Sequence, residues 1–214
     1  MALRVFGLTG GIASGKSAVA ERWRARGLPV VNADELARAA VLPGGPALAQ
    51  IVEYFGGEVL TPSGTLDRAR LGAIVFSDPE ARRRLDSIVH PVVRRLASER
   101  FAEIAARGEA LACYEVPLLF ETGLDRIYAP VVVVNAPDAL RRVRLAARDK
   151  LEPQQVEARI LAQLPLAEKV KRADYVIDND GSLTLLHARC DETLDAICHA
   201  LAVDPGSYPK PELS

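Results

Sequence analysis

The chain has 214 residues, of which 49% are hydrophobic and 26% are charged, a composition that is typical of a folded globular protein and excludes a collagen-like or wholly disordered chain. Its 27 Lys and Arg residues nearly balance 28 Asp and Glu residues, for a net charge of −1, so no basic excess predicts binding to nucleic acid or to a membrane surface. Three cysteines are too few for a disulfide framework, and we expect a reducing, cytoplasmic setting.

Five short apolar segments, each bounded by turn residues, predict strands. The first covers residues 3–8, and the glycines that follow it come too early for the apolar core of a signal peptide. No segment of the sequence has the roughly 20 apolar residues that span a bilayer. The others are rich in β-branched residues, and all five are expected to be buried on both faces. These later strands are predicted at residues 30–31, 111–116, 131–134 and 176–177.

Helical segments are predicted between these strands. One covers residues 17–26 and stops at a glycine, and a second begins at residues 77–80, where Ser-Asp-Pro-Glu forms a capping box with Pro in the first turn. A third is predicted over residues 91–107. His90 precedes a proline, which disfavours helical geometry, so it is expected to mark a junction. The segment 204–211 is rich in proline and is expected to be frayed.

The alternation of strands and helices predicts a three-layer α/β core with a parallel five-stranded sheet. Two intervals between strands are longer than a crossover needs, and both have a helical pattern. We therefore predict a helical insertion at residues 35–90 and a helical lid at residues 141–169. The core would comprise residues 1–34, 91–140 and 170–214.

A glycine-rich segment follows the first strand directly. Residues 10–17, Gly-Gly-Ile-Ala-Ser-Gly-Lys-Ser, match G-x-x-x-x-G-K-[ST] at each fixed position and open a helix, which predicts a loop whose N–H groups cradle phosphates. Lys16 would reach the β- and γ-phosphates, and the Ser17 hydroxyl would ligate Mg²⁺. Ala13 is acceptable there if its φ is negative. The predicted nucleotide contacts are Gly11, Ile12, Ala13, Ser14, Gly15, Lys16, Ser17 and Ala18.

An acidic residue, Asp34, follows the second strand. Ligands of open α/β sheets bind at the carboxyl ends of strands, so Asp34 is expected to face the same crevice as Lys16. There it can accept a proton from a substrate hydroxyl and help orient that hydroxyl or Mg²⁺. Alternatively, Asp34 caps the helix that begins at Glu35. Arg38, one turn further, is expected either to meet an acceptor phosphate or to be solvated.

Three arginines in the predicted lid, Arg141, Arg144 and Arg148, are spaced i, i+3 and i+7 and therefore share one helix face. A mobile arginine that closes over a transferring phosphoryl group stabilises its charge and excludes water. We expect this role for at least one of them, and for Arg148 first. Arg142 lies off the stripe and is expected to be solvated.

Other candidate residues have simpler interpretations. His187, Cys190, Cys198 and His199 could suggest a metal site, but they fall on one amphipathic helix along which they are too far apart to share an ion. Trp23 is expected to pack a helix against the sheet. The sequence contains no N-K-x-D segment, the motif by which GTPases normally recognise guanine.

Taken in order, these segments resemble the dephospho-CoA kinase family over about residues 3–185. Many kinases share the phosphate loop, whereas the combination of Ala-Asp after the second strand, His90-Pro91 and the Val-Pro-Leu-Leu-Phe-Glu segment at 116–121 is more specific. The resemblance rests on residues 8–17, 32–34, 37–38, 42–44, 90–91, 116–121, 144–149, 173–179 and Gly181.

The resemblance implies a P-loop kinase core with a helical acceptor-binding insertion and a lid. It also implies transfer of the γ-phosphate of ATP to the 3′-hydroxyl of the dephospho-CoA ribose, giving CoA and ADP, with Mg²⁺ as cofactor. ATP and dephospho-CoA would be the partners of a monomer that binds neither nucleic acid nor membranes. Asp34, Lys16 and Arg148 would be catalytic, Arg144 and Asn179 would contact ATP, and Ser17 would bind the metal. The implied acceptor site includes Asp34, Arg38, His90, Pro117, Leu118 and Glu121, the last in contact with either the acceptor or the lid.

The sequence departs from the family at two positions. Asn32 stands where the family often has Asp, and it brings hydrogen-bonding capacity without charge. Ala13 stands where Gly is common. Two alternatives stay open: a kinase for another small hydroxyl acceptor, such as a nucleoside monophosphate or shikimate, which would share the phosphate loop and the lid, and a nucleotide-binding regulator without an acceptor.

Overall fold

The computed structural model describes residues 2–211. Met1 and residues 212–214, which the predicted core ranges include, lie outside the described residues. Five strands form one sheet in the order β2-β3-β1-β4-β5, and β1 pairs in parallel with both β3 and β4, while β4 pairs in parallel with β5. The strands are β1 (Arg4–Gly10), β2 (Val30–Asn32), β3 (Leu111–Glu115), β4 (Val131–Asn135) and β5 (Tyr175–Asp178).

Helices occupy the intervals between the strands, as the sequence predicts, which confirms the α/β class. The region predicted as a lid coincides with three helices between β4 and β5, and none of the helices among the described residues is long and apolar enough to cross a membrane. The helices are α1 (Lys16–Ala25), α2 (Ala33–Ala40), α3 (Leu48–Phe55), α4 (Arg68–Ser77), α5 (Pro79–Ala106), α6 (Asp138–Asp149), α7 (Pro153–Leu161), α8 (Leu166–Lys171) and α9 (Leu183–Ala200).

Contacts between residues divide the chain into two compact units. The first runs as far as Val31 and resumes at Ile104, so it contains the sheet except for the last residue of β2. The second covers Asn32–Glu103. Each unit has an apolar cluster of its own, as expected of elements that each bury one face.

The apolar cluster of the first unit lies where α1 and α9 pack against the sheet. Trp23 is fully buried there, its ring meets Phe6 edge to face, and its Nε1 donates to the carbonyl of Cys190, so the predicted packing role is confirmed. Cys190 is also buried, and burial raises the pKa of its thiol to about 12. The prediction that every strand is buried on both faces is wrong for β5, an edge strand in which Val176 is 39% exposed.

The C-terminal segment 204–211 is not frayed, so that prediction is wrong. Tyr208 is 2% exposed within the cluster of the first unit. Its carbonyl accepts hydrogen bonds from Arg26 at 2.6 and 2.9 Å, and its hydroxyl lies 3.2 Å from the amide nitrogen of Leu111. Aromatic burial and satisfied backbone groups hold this segment, which its proline content does not reveal.

The second unit packs its helices around a smaller apolar cluster that includes Ile51, Phe55 and Leu71. Helix α5 runs without interruption through Pro91, so the prediction that a helix starts there and that His90 marks its boundary is wrong. Ile88 and Val92, on either side of the proline, are both buried on the same face. Burial of this continuous apolar stripe offsets the hydrogen bond that proline removes.

Helix starts in the second unit use different caps from those predicted. Asp78, and not Ser77, caps α5, since its carboxylate accepts from the amides of Glu80 and Ala81; Ser77 is the last residue of α4. Likewise, Asn32 caps α2 by accepting from the amides of Asp34 and Glu35 at 2.8 and 3.1 Å. The alternative in which Asp34 is the cap is therefore wrong.

Candidate active site

The glycine-rich loop joins β1 to α1 in a tight turn. Its path is set by a hydrogen bond of 3.1 Å from the amide of Ser14 to the carbonyl of Gly11, and by Gly15, whose φ of +97° favours glycine. No side chain caps α1 among the described residues. The positive end of this helix, with its amide donors, therefore lies at the loop, which is the arrangement that binds phosphate.

The backbone at Ala13 does not meet the condition set from the sequence. Its φ is +59°, whereas alanine is acceptable without strain only where φ is negative. A side chain with a Cβ in this left-handed region is strained by about 1–2 kcal/mol. The loop therefore accepts strain at a position where glycine would have none.

Side chains from three other segments hold the loop from outside. Asn179, at the end of β5, donates from Nδ2 to the carbonyl of Ser14 at 2.8 Å. Arg141 of α6 donates from Nε to the carbonyl of Ile12 at 3.1 Å, and Gln163, between α7 and α8, accepts from the amide of Ile12 at 2.8 Å. These contacts fix which way the peptide groups of the loop point.

Two buried polar atoms beside the loop have no hydrogen-bond partner in the described part of the chain. They are the hydroxyl oxygen of Ser14 and Nη1 of Arg144. The other terminal nitrogen of Arg144 reaches Oδ1 of Asn179 at 3.5 Å, so the guanidinium stands next to the loop. Because unpaired buried donors cost free energy, these atoms indicate a site that a polar ligand completes.

The predicted arginine stripe of α6 is divided between two environments. Arg141 is 3% exposed and Arg144 lies beside Asn179, so both are at the loop. The side chain of Arg148 is 59% exposed and pairs with Asp149 at 2.8 Å. The same carboxylate pairs with Arg159 at 2.5 Å, and the hydrogen bond from Arg148 holds the pKa of Asp149 below its usual range. Arg142 is not free in solvent but pairs with Glu157.

The segment after β3 is linked to the region predicted as a lid. Glu121 accepts a hydrogen bond of 3.0 Å from the amide of Leu164 and pairs with Lys169 at 2.8 Å. Lys169 is fully buried, and its Nζ also donates to the carbonyl of Pro117 at 3.1 Å. Of the two contacts expected for Glu121, the structure contains one with the region predicted as a lid, at Leu164 and Lys169. Pro117 and Leu118 are half-buried.

Three of the predicted site residues lie in the second unit, and each has an accessible side chain. Asp34 is exposed in the first turn of α2, and Arg38 is exposed one turn later. His90 is exposed on α5 with Nε2 3.8 Å from a carboxylate oxygen of Asp86. Exposure leaves each of them available to a ligand.

Gln163 and Lys169 were not identified from the sequence. Neither belongs to a motif with fixed spacing, and each acts through a contact with a residue more than 40 positions away. For Lys169 the sequence offers one signal, namely that it is a lysine in the short helix α8, which precedes β5. Such a signal does not distinguish it from Lys171, which is on the surface.

The fold and the loop define a P-loop kinase. A shikimate kinase from Acinetobacter baumannii shares this fold, with a TM-score of 0.52 at 17% identity over 92% of this chain and 94% of that one. The sequence model of one family, described as dephospho-CoA kinase, matches residues 4–184. The chain therefore belongs to the dephospho-CoA kinase family.

Individual relatives agree with this assignment. A dephospho-CoA kinase of Anaeromyxobacter dehalogenans is 55% identical over 192 residues, covering 90% of this chain and 91% of the relative. A dephospho-CoA kinase structure from Campylobacter jejuni has a TM-score of 0.69 at 30% identity, covering 92% of this chain and 98% of that one. The Thermus thermophilus protein TT1252 has a TM-score of 0.79 at 38% identity, covering 94% and 99%.

Proposed function

We propose that the protein transfers the γ-phosphate of ATP to the ribose 3′-hydroxyl of dephospho-CoA, which gives CoA and ADP and completes CoA synthesis. The proposal rests on the family match, because it spans residues 4–184 and so covers all of the second unit and the first unit as far as residue 184, whereas a phosphate loop alone is common to many kinases. We further propose that the protein acts as a monomer in the cytoplasm.

The first unit supplies the phosphate site in this proposal. Residues 11–18 form the loop around the phosphates, Lys16 binds them, and Arg144 offers its unpaired Nη1 to the nucleotide beside Asn179. Arg148 stabilises the charge of the transferring phosphoryl group once it has left Asp149. We propose residues 141–169 as the lid, within which the side chain of Arg148 makes this movement.

The second unit supplies the acceptor site. We propose that residues 35–90 bind dephospho-CoA, with Arg38 and His90 as contacts. We also propose Pro117, Leu118 and Glu121 as contacts of the acceptor. Asp34 accepts the proton of the 3′-hydroxyl as that oxygen attacks the γ-phosphorus. Exposure of Asp34 suits a base that must meet a substrate from solution.

Ser17 is the residue that would hold Mg²⁺. Ser17 is an exposed residue in the first turn of α1, and a hydroxyl oxygen is a hard ligand that suits this ion, which keeps waters and shares phosphate oxygens. When bound, the ion neutralises charge on the phosphates.

One assay tests the function against its alternatives. ADP release is followed with dephospho-CoA, adenosine monophosphate, shikimate or no acceptor, and we expect release that depends on dephospho-CoA alone. Release without an acceptor would indicate a hydrolysing regulator instead. Asp34→Asn should lower kcat at saturating acceptor by about 100-fold or more, as expected for loss of a general base. Wild-type kcat in that variant would contradict the role of Asp34.

A further inference from the structure

The peptide groups of Ile12 are held from both sides by side chains of the lid region. Its amide donates to Oε1 of Gln163 at 2.8 Å, and its carbonyl accepts from Nε of Arg141 at 3.1 Å. Arg141 is 3% exposed, and a Cβ added at Gly11 would lie 2.7 Å from its guanidinium carbon. Ile12 therefore has little freedom to rotate its peptides while both contacts persist.

The turn that carries Gln163 is itself fixed to the sheet. The amide of the next residue, Leu164, donates to Glu121 at 3.0 Å, and Glu121 pairs with Lys169 at 2.8 Å. Lys169 is fully buried and also donates to the carbonyl of Pro117. That carbonyl in turn accepts from the hydroxyl of Thr9 in β1 at 3.1 Å. A chain of polar contacts thus runs from β1 to Gln163.

We propose that Gln163 is a positioning residue for phosphate binding, and that the pair of Glu121 and Lys169 sets its place. We name these three residues the brace. The brace holds the amide of Ile12 in one orientation before nucleotide arrives, so that the loop does not have to order itself on binding. This inference rests on the proposed function only in that the loop binds the phosphates of ATP.

The anchoring of this turn excludes an opposite role for Gln163. Its amide oxygen stands at hydrogen-bond distance from a loop amide, as a phosphate oxygen would, so it could be a plug that nucleotide displaces. A side chain that nucleotide displaces must move away from the loop. The turn that carries Gln163 is instead held through Glu121 by a fully buried lysine and by the segment that follows β3. Removing the amide oxygen should therefore weaken nucleotide binding and not strengthen it.

The first experiment measures nucleotide affinity. Gln163→Met removes the acceptor and nearly keeps the side-chain volume, and Gln154→Met makes the same change at an exposed glutamine of α7. The probe is the non-hydrolysable analogue adenosine 5′-(β,γ-imido)triphosphate in isothermal titration. We expect Gln163→Met to bind it about 5- to 30-fold more weakly, the effect of one lost hydrogen bond to a partly buried donor, and Gln154→Met to bind it as wild type does. Wild-type affinity or tighter binding in Gln163→Met would overturn the proposal.

A double-mutant cycle tests the rest of the brace. Lys169→Met replaces a buried amine by an apolar side chain of similar length and leaves Glu121, whose side chain is 23% exposed, without its ion pair. Loss of one partner of a buried pair lowers stability, so circular dichroism first checks that the variant is folded. This variant should also bind the analogue more weakly. Adding it to Gln163→Met should cost little more, because both changes act on the same contact. Additive losses would show that Lys169 does not act through Gln163.

Amide exchange provides a readout that does not depend on activity. In the ligand-free protein, the Ile12 amide should exchange at least tenfold faster in Gln163→Met than in wild type, with no change in Gln154→Met. Unchanged exchange would overturn the proposal even if affinity fell. If the wild type binds the analogue but does not phosphorylate dephospho-CoA, the proposed function is wrong, while the affinity measurements still test the brace. If the wild type does not bind the analogue, the exchange rate of the Ile12 amide is the measurement that supports or overturns the brace.

Discussion

Ala13 has a φ of +59°, and the Cβ of an L-residue is strained in this region. Ala13→Gly should raise the free energy of unfolding by about 0.5–1 kcal/mol, which is the relieved strain less the greater entropy that glycine gives the unfolded chain. Urea denaturation measures this difference. Ala202→Gly is a matched change at a φ of +54° outside the loop and should give a similar gain. A loss of stability in Ala13→Gly would mean that the Cβ makes contacts that outweigh the strain.

Gly15 combines a left-handed φ with a close neighbour. A Cβ there would overlap Nδ2 of Asn179, the atom that holds the carbonyl of Ser14. Gly27 has a similar φ of +84° but nothing within 4 Å of an added Cβ. Gly27→Ala should therefore cost only about 1–2 kcal/mol of stability, the intrinsic left-handed penalty.

Gly15→Ala should carry the same penalty and, in addition, displace Asn179 from the loop. We expect its affinity for ADP to fall by about tenfold or more, since the displaced contact is a buried hydrogen bond, while Gly27→Ala binds ADP as wild type does. Isothermal titration of both variants measures this. Equal ADP affinity in the two variants would show that Asn179 does not support the phosphate loop.

At the scale of residues, the sequence predicts which residues meet phosphate but not which side chains support those residues. The fixed spacing of residues 10–17 follows from phosphate geometry, so it can be read directly. Gln163 and Arg141 act on the two peptide groups that flank Ile12, and their positions depend on how α6 and α7 pack. Many side chains can supply such a contact, so no pattern in the sequence marks it.

At the scale of elements, α1, α9 and the C-terminal segment are joined by a group of buried charges. Arg22 pairs with Asp191 at 2.6 Å, and Arg26, with a side chain only 1% exposed, pairs with Asp195 at 2.5 Å. Burial alone would raise the pKa of Asp195, but hydrogen bonds from Arg26 and Lys210 hold it below its usual range. The folded protein therefore binds a proton at Asp195 less readily than the unfolded chain does.

This difference predicts how stability depends on pH. The contribution of Asp195 to the free energy of unfolding is complete above its pKa in the unfolded chain, about 3.9. It is lost as the pH falls through the lower pKa that Asp195 has in the folded protein. Asp195→Asn should be less stable at pH 7, and its free energy of unfolding should decline less steeply than that of wild type below pH ~4. Urea denaturation at several pH values tests this, with Asp86→Asn on the exposed face of α5 as the control. Equal slopes in wild type and Asp195→Asn would contradict the prediction.

Elements that local patterns determine were predicted well, and those that tertiary contacts determine were not. The five strands follow from short apolar runs, which few other structures can bury. In contrast, α5 continues through Pro91 because one apolar stripe crosses it, and the segment 204–211 is ordered because Tyr208 enters the core. In both cases a local preference of proline is overridden by burial that only the folded chain provides.

At the scale of the whole molecule, each unit buries its own apolar cluster. Ile51 is fully buried in the cluster of the second unit, and Ile197 is fully buried in that of the first. Replacing either residue by alanine should cost about 2–5 kcal/mol, the usual effect of a cavity. The two changes have the same chemistry and differ only in the unit that they weaken, so they form a matched pair.

We expect the two variants to separate the functions of the units. In Ile51→Ala, amides of α3 should exchange faster while those of β1 keep their protection, because local opening follows the weakened cluster. ADP affinity should stay within about twofold of wild type, and the KM for dephospho-CoA should rise, since the proposed acceptor site is in the second unit. Ile197→Ala should instead accelerate exchange in β1 and weaken ADP binding. Hydrogen exchange and titration on both variants measure this; equal acceleration in both units by either variant would show that the chain opens only as one cooperative whole.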